Sequence, residues 1–135
     1  MEVAKKNNTL LKPLPGRGLE RLTLYGIPNC DVTKKAMGWL NKNDLDFSFH
    51  DYKLEGISKQ KLEEWCNKLG WETIFNKRST TWRELPVAEQ EKVVSQSAAI
   101  RVMMENNSII KRPVIEYKTK IIAGFNENDL KGLSL

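Results

Sequence analysis

Residues 21 to 27, "RLTLYGI", alternate apolar and polar side chains and carry aromatic and branched residues, which predicts a β-strand ended by Pro28. From Asp31 the period changes. Val32, Ala36, Trp39 and Leu40 recur at helical spacing, so a helix is expected to about Asn43. Alternation returns in "DFSFHDY" (46 to 52), with Phe47 and Phe49 on one face and Ser48 and His50 on the other. Strand, crossover helix and strand make a βαβ unit, whose two strands run parallel.

Ser58 then caps "SKQKLEEWCNKLG", where Leu62, Trp65, Cys66 and Leu69 form an i, i+3, i+4, i+7 stripe. Gly70 stands where a left-handed C-cap belongs. Residues 71 to 107 carry no strand signal. Thr81 and Glu84 have capping-box spacing, and "VAEQEKVVSQ" and "SAAIRVMMEN" read as two short helices. Two branched runs, "IIKRPVIEY" and "KIIAGF", flank Lys118-Thr119 and predict a hairpin, although that pair is not preferred turn chemistry. Asn126 is placed to cap a last helix, "ENDLKGL".

The first 20 residues differ. They hold two prolines and two glycines and no sustained periodicity, and they lack the apolar run of a secretory signal. They are expected to be a disordered leader or extension, leaving 21–135 as a single domain with a helical insertion at about 71–107. At 135 residues the chain suits one such domain. No apolar run approaches the roughly 18 residues of a membrane span, so no membrane association is expected. The net charge is +5, with 22 Lys and Arg against 17 Asp and Glu. Removing the leader's four basic and two acidic residues leaves 18 against 15, a net +3. That excess is too mild and scattered for nucleic acid, but it suits a site for anions. Two cysteines without a signal sequence point to a reducing, cytoplasmic setting.

Cys30 sits at the strand–helix junction, where unpaired backbone N–H groups and the helix dipole favour an anion such as a thiolate. Lys34, one turn on, would add positive charge on the same side. The position alone also fits a small residue packing at the junction. A C-x-x-C motif would put its second cysteine at Thr33. Cys66, inside an apolar stripe, reads as core. Arg112 precedes Pro113 at a strand start, where a solvated charge is the usual reading. Arg78 lies in a polar loop with Ser79, Thr80 and Thr81, which suits an anion or simply a helix cap. His50 has no metal-ligand partner at a useful spacing, and no metal site is expected.

Taken together, "LYGIPNCDVTKKAMGWL", "LGWETIFNKRSTTWREL", "SIIKRPVI" and "IAGFNE" resemble the arsenate reductase-related (ArsC/Spx) family of thioredoxin-fold proteins, and within it the YffB-type branch. The resemblance covers the chain from about Leu22 to its end. It implies an α/β, thioredoxin-like fold: a four-stranded mixed sheet with flanking helices and an inserted helical subdomain. It also implies that Cys30 is the nucleophile, that Arg112 precedes a cis Pro113, that Arg78 is an active-site arginine, and that Lys34 matches a lysine of the YffB-type branch. Two departures shape the functional expectation. "IIAGF" lacks the third arginine of the arsenate reductases proper, and Thr33 replaces the second cysteine common in Spx-type regulators. The expected activity is therefore glutathione-dependent thiol–disulfide reduction by a single cysteine, in a monomer, with glutathione and a disulfide as partners. Reduction of arsenate or another oxyanion, and a Spx-like regulatory interaction, are the alternatives.

Overall fold

The computed structural model describes residues 21–133, so the expected leader at 1–20 lies outside the described residues. The strands are β1 (Leu22–Gly26), β2 (Phe47–Asp51), β3 (Val114–Tyr117) and β4 (Lys120–Ala123). The helices are α1 (Asp31–Lys42), α2 (Tyr52–Glu55), α3 (Lys59–Leu69), α4 (Trp71–Ile74), α5 (Thr80–Arg83), α6 (Val87–Gln90), α7 (Gln96–Glu105) and α8 (Glu127–Lys131). A 3-10 turn covers Asn107–Ile109. The chain divides into two compact units: a sheet unit built from the segments before Tyr52 and after Lys111 in sequence, and a helical unit, Tyr52–Lys111, wider than the insertion expected at 71–107.

In the sheet unit the strand order is β2-β1-β3-β4. β1 runs parallel to β2, with Leu22 opposite Phe47 and Gly26 opposite Asp51. It runs antiparallel to β3, with Tyr25 opposite Val114, and β3 pairs antiparallel with β4. The architecture is the thioredoxin-like mixed sheet with flanking helices. This register brings the chain leaving β1 and the chain entering β3 to the same end of the sheet. The segments "IPNC" and "KRP" therefore become neighbours, although 82 positions separate Cys30 from Arg112.

Alternation decides the two faces of the sheet. Leu22, Leu24, Ile115 and Tyr117 pack with Ala36 and Leu40 of α1 and with Leu130 and Leu133. Each fully buried leucine contributes about 1.5–3 kcal/mol relative to exposure. On the other face the Tyr25 hydroxyl donates to Glu116 Oε1 at 2.8 Å, and its ring lies 4.9 Å from that of His50. Asn126 caps α8 as expected, accepting from the N–H groups of Asn128 and Asp129 at 2.8 and 3.1 Å. The hairpin forms across Lys118-Thr119, and Lys118 takes the left-handed φ of 56° that its sequence does not favour.

The helical unit shows three differences from the expected details. Ser79, not Thr81, caps α5, accepting from the Trp82 N–H at 3.0 Å, while the Thr81 hydroxyl pairs with Ser108 at 2.7 Å. A capping-box spacing two residues too late competes here with a serine that already occupies the extended N-cap backbone. Gly70 has φ 92° but ψ 137°, an extended rather than left-handed helical cap, because α4 starts at the very next residue. "VAEQEKVVSQ" keeps only four residues of helix, and α7 starts after Ser95, whose side chain accepts from the Ala98 N–H. Of the expected α3 stripe, Leu62, Trp65 and Cys66 are buried and Leu69 is half-buried. Ser58 caps it through the Lys61 N–H at 3.0 Å.

One difference falls in α1. Val32, expected on the apolar face, is exposed, and the buried positions are Thr33, Ala36 and Leu40. The apolar stripe is rotated by one residue at its start, so that a hydroxyl rather than an isopropyl group enters the interior.

Candidate active site

The chain leaves β1 through Ile27-Pro28-Asn29-Cys30. The Cys30 N–H donates to the Ile27 carbonyl at 3.0 Å, closing a four-residue turn with proline at its second position, where a fixed φ favours the turn. The turn delivers Cys30 in extended conformation, φ −95° and ψ 128°, as the N-cap of α1. Its carbonyl accepts the first helical hydrogen bond, from the Lys34 N–H at 2.9 Å. A serine here would place its oxygen where the second and third helical amides, those of Val32 and Thr33, can donate to it. Cys30 places sulfur there instead, and the neutral thiol makes no capping hydrogen bond.

Ionisation changes that balance. Burial works against the charged form of Cys30. The Thr33 backbone N–H, the Thr33 hydroxyl, the Arg112 side chain and the Val32 backbone N–H outweigh it, so the thiol is more acidic than an ordinary cysteine. Cys30 remains partly accessible, as a nucleophile must be. Cys66 has the opposite environment. It is 2% exposed in α3, and burial pushes its thiol up to about 11. Both cysteines are free.

Of the residues singled out in the sequence, the sheet unit brings together Cys30, Arg112 and Pro113. The Arg112–Pro113 peptide is cis, and the Pro113 carbonyl accepts from the Gly124 N–H at 2.7 Å, tying the entry of β3 to the end of β4. Arg112 is half-buried and supports the Cys30 thiolate from this entry. Lys34 is exposed, and its charge is not among the groups that acidify the thiol. Arg78 belongs to the helical unit, exposed, with its backbone N–H on Asn76 Oδ1 at 3.0 Å. Among the described residues, no cluster of three or more His, Cys, Asp or Glu side chains could hold a metal ion, and no helix is long and apolar enough to cross a membrane.

Thr33 is the residue that the sequence reading passed over. It counted there only as a missing cysteine, yet it is fully buried and contributes both an amide and a hydroxyl beside the sulfur. The available signal was its place at the third position of the helix, whose amide always points toward the N-cap side chain. A buried hydroxyl without a partner costs about 1–3 kcal/mol, and Thr33 Oγ1 has no hydrogen bond beside the neutral thiol.

Residues 25–133 match the model of the ArsC family. An uncharacterised protein of Haemophilus influenzae is 41% identical over 109 residues, covering 80% of this chain and 94% of its own. The solved structure of a protein named YffB is 38% identical with a TM-score of 0.79, covering 82% of this chain and 96% of that one. The global transcriptional regulator Spx of Streptococcus agalactiae is 30% identical over 112 residues, which are 82% of this chain and 80% of the regulator.

Proposed function

Because the chain belongs to the ArsC family, and its one acidic thiol has no second cysteine at position 33, we propose that it is a glutathione-dependent thiol–disulfide reductase working through Cys30. The observation that carries this reading is the N-cap sulfur of α1, acidified by Thr33, Arg112 and Val32 against the pull of burial. A thiolate is the attacking species in disulfide exchange, and one acidified within reach of solvent is suited to it.

The reaction runs in two displacements. The Cys30 thiolate attacks the glutathione sulfur of a mixed disulfide, a Cys30–glutathione disulfide forms, and the substrate leaves as its thiolate, which takes a proton from water. A second glutathione thiolate then attacks the glutathione sulfur of that adduct. Oxidised glutathione departs and the electron pair returns to Cys30. Arg112 holds the thiolate and, between turnovers, offers a planar fork for a glutathione carboxylate. A role for Arg78 in the same recognition rests on the family resemblance alone.

Oxyanion reduction is the second reading, and it draws on the same thiolate. The strand β4, "KIIA", carries no arginine to share the charge of an arsenate adduct, which favours disulfide exchange. The deciding experiment measures glutathione-coupled reduction of a small mixed disulfide beside arsenate reduction, with Cys30→Ser as the blank. Disulfide turnover that disappears with Cys30, and weak or absent arsenate turnover, is the expected result. Robust arsenate reduction without disulfide activity would overturn the choice. Neither activity, together with a specific protein partner, would favour a regulator like Spx.

A further inference from the structure

Thr33 breaks the amphipathic pattern of α1. Its apolar neighbour Val32 is 41% exposed while Thr33 is 0% exposed. Valine at 33 would fill the same space with no polar atom to satisfy, so packing does not explain the hydroxyl. Breaks of this kind between local rule and fold concentrate where function imposes them. The hydroxyl is held in place by the bare backbone of Gly26. A Cβ on Gly26 would stand 2.7 Å from Thr33 Oγ1 and 3.0 Å from its Cγ2, closer than the side chain tolerates. From that seat the oxygen lies beside Cys30 and has no hydrogen bond of its own.

We propose that the Thr33 hydroxyl is a positioning group for Cys30, donating to the sulfur when the sulfur carries negative charge and so favouring each step that ends in the thiolate. The second part of the idea rests on the disulfide-exchange reading above. When a glutathione thiolate attacks the Cys30–glutathione disulfide, a sulfur–sulfur bond forms in oxidised glutathione and the bond to Cys30 breaks. The electron pair stays on the Cys30 sulfur, where the hydroxyl takes it up as a hydrogen bond and no proton moves. More acidic thiols leave faster. The position that holds a resolving cysteine in a dithiol arrangement thus holds a group that assists departure without forming a disulfide.

The test uses the full chain with Thr33→Val and Thr33→Ser. Iodoacetamide alkylation of Cys30 is followed against pH, and resolution of the Cys30–glutathione disulfide by glutathione is followed separately. Thr33→Val should raise the alkylation midpoint by about one to two pH units. It should also slow resolution by roughly three- to tenfold, as leaving-group acidity falls. Thr33→Ser should restore both. At a pH below both midpoints, Thr33→Val should melt no lower than the parent, because a partnerless hydroxyl has been removed. An unchanged midpoint in Thr33→Val overturns the proposal, and so does a Thr33→Ser variant as impaired as Thr33→Val, which would make the role steric. A shifted midpoint rescued by serine, in a protein that does not exchange with glutathione at all, upholds the hydroxyl's role and overturns the glutathione reading instead.

Discussion

Replacing Gly26 by alanine should destabilise the protein, and nearly all of the penalty should vanish when Thr33 is also replaced by alanine. The Gly26 backbone φ lies outside the left-handed region, so alanine meets no conformational barrier there. Taken alone, Gly→Ala at such a position stabilises by about 0.4–1 kcal/mol through the unfolded chain. The opposing contact is the Thr33 side chain, with Oγ1 at 2.7 Å and Cγ2 at 3.0 Å from the added Cβ, while its own Cβ at 3.5 Å is ordinary contact. Forcing those two atoms aside costs about 1–3 kcal/mol. In the parent the net loss should therefore be roughly 0.5–2 kcal/mol. In the Thr33→Ala background both offending atoms are gone, and Gly26→Ala should be neutral or stabilising by up to about 1 kcal/mol. The coupling is then on the order of 1–3 kcal/mol, within the range for residues in contact. Urea unfolding of the four proteins measures it, in a Cys30→Ala background that takes thiol ionisation out of the linkage. Additivity to within about 0.3 kcal/mol would refute the steric account of Gly26, and with it the claim that this glycine seats Thr33.

Alkylation of the parent should show a single thiol with a midpoint below the ordinary cysteine value of about 8.5, lost in Cys30→Ser and retained in Cys66→Ser; a midpoint at the ordinary value would remove the physical basis for the nucleophile. Cys66 is favoured as a neutral thiol in the fold, so its contribution to stability is full below the unfolded value and is lost as pH rises toward about 11; Cys66→Ala should flatten that alkaline decline in the melting temperature. Arg112→Lys should lower glutathione-coupled reduction by about ten- to a hundredfold, because charge is kept while the planar fork is lost, with the far-ultraviolet spectrum unchanged. Asn126→Ala should cost about 1 kcal/mol in urea unfolding, since its side chain accepts from two helix amides.

The strands β1 and β2 and the helix α1 were legible because the chemical character of their side chains repeats with one period along each element. Leu22 and Leu24 alternate with Thr23 and Tyr25, and Ala36 and Leu40 keep helical spacing. Cys30 at the helix start was legible for the same reason, since a change of period marks a junction. Arg112 beside it was not readable from spacing. Only the antiparallel pairing of β1 with β3 brings position 112 to the end of β1, and pairing partners are not encoded locally. The α5 cap was misjudged because Ser79, Thr80 and Thr81 are all competent caps, and backbone conformation chooses among them. Thr33 was overlooked for a different reason. Pattern reading assigns the interior to apolar residues, so a buried hydroxyl shows itself only as the place where the pattern fails.

The threonine at that position also decides how the protein meets peroxide. A thiolate oxidised by peroxide becomes a sulfenic acid, and a cysteine three residues away would condense with it to a disulfide that thiols can reverse. Thr33 cannot condense, and Cys66, buried and with its thiol near 11, is unreactive at neutral pH. The sulfenic acid of Cys30 then has two fates: capture by a dissolved thiol, or further oxidation to a sulfinic acid that thiols do not reduce. The lifetime of the active cysteine is accordingly set outside the polypeptide, by the ratio of free thiol to peroxide around it.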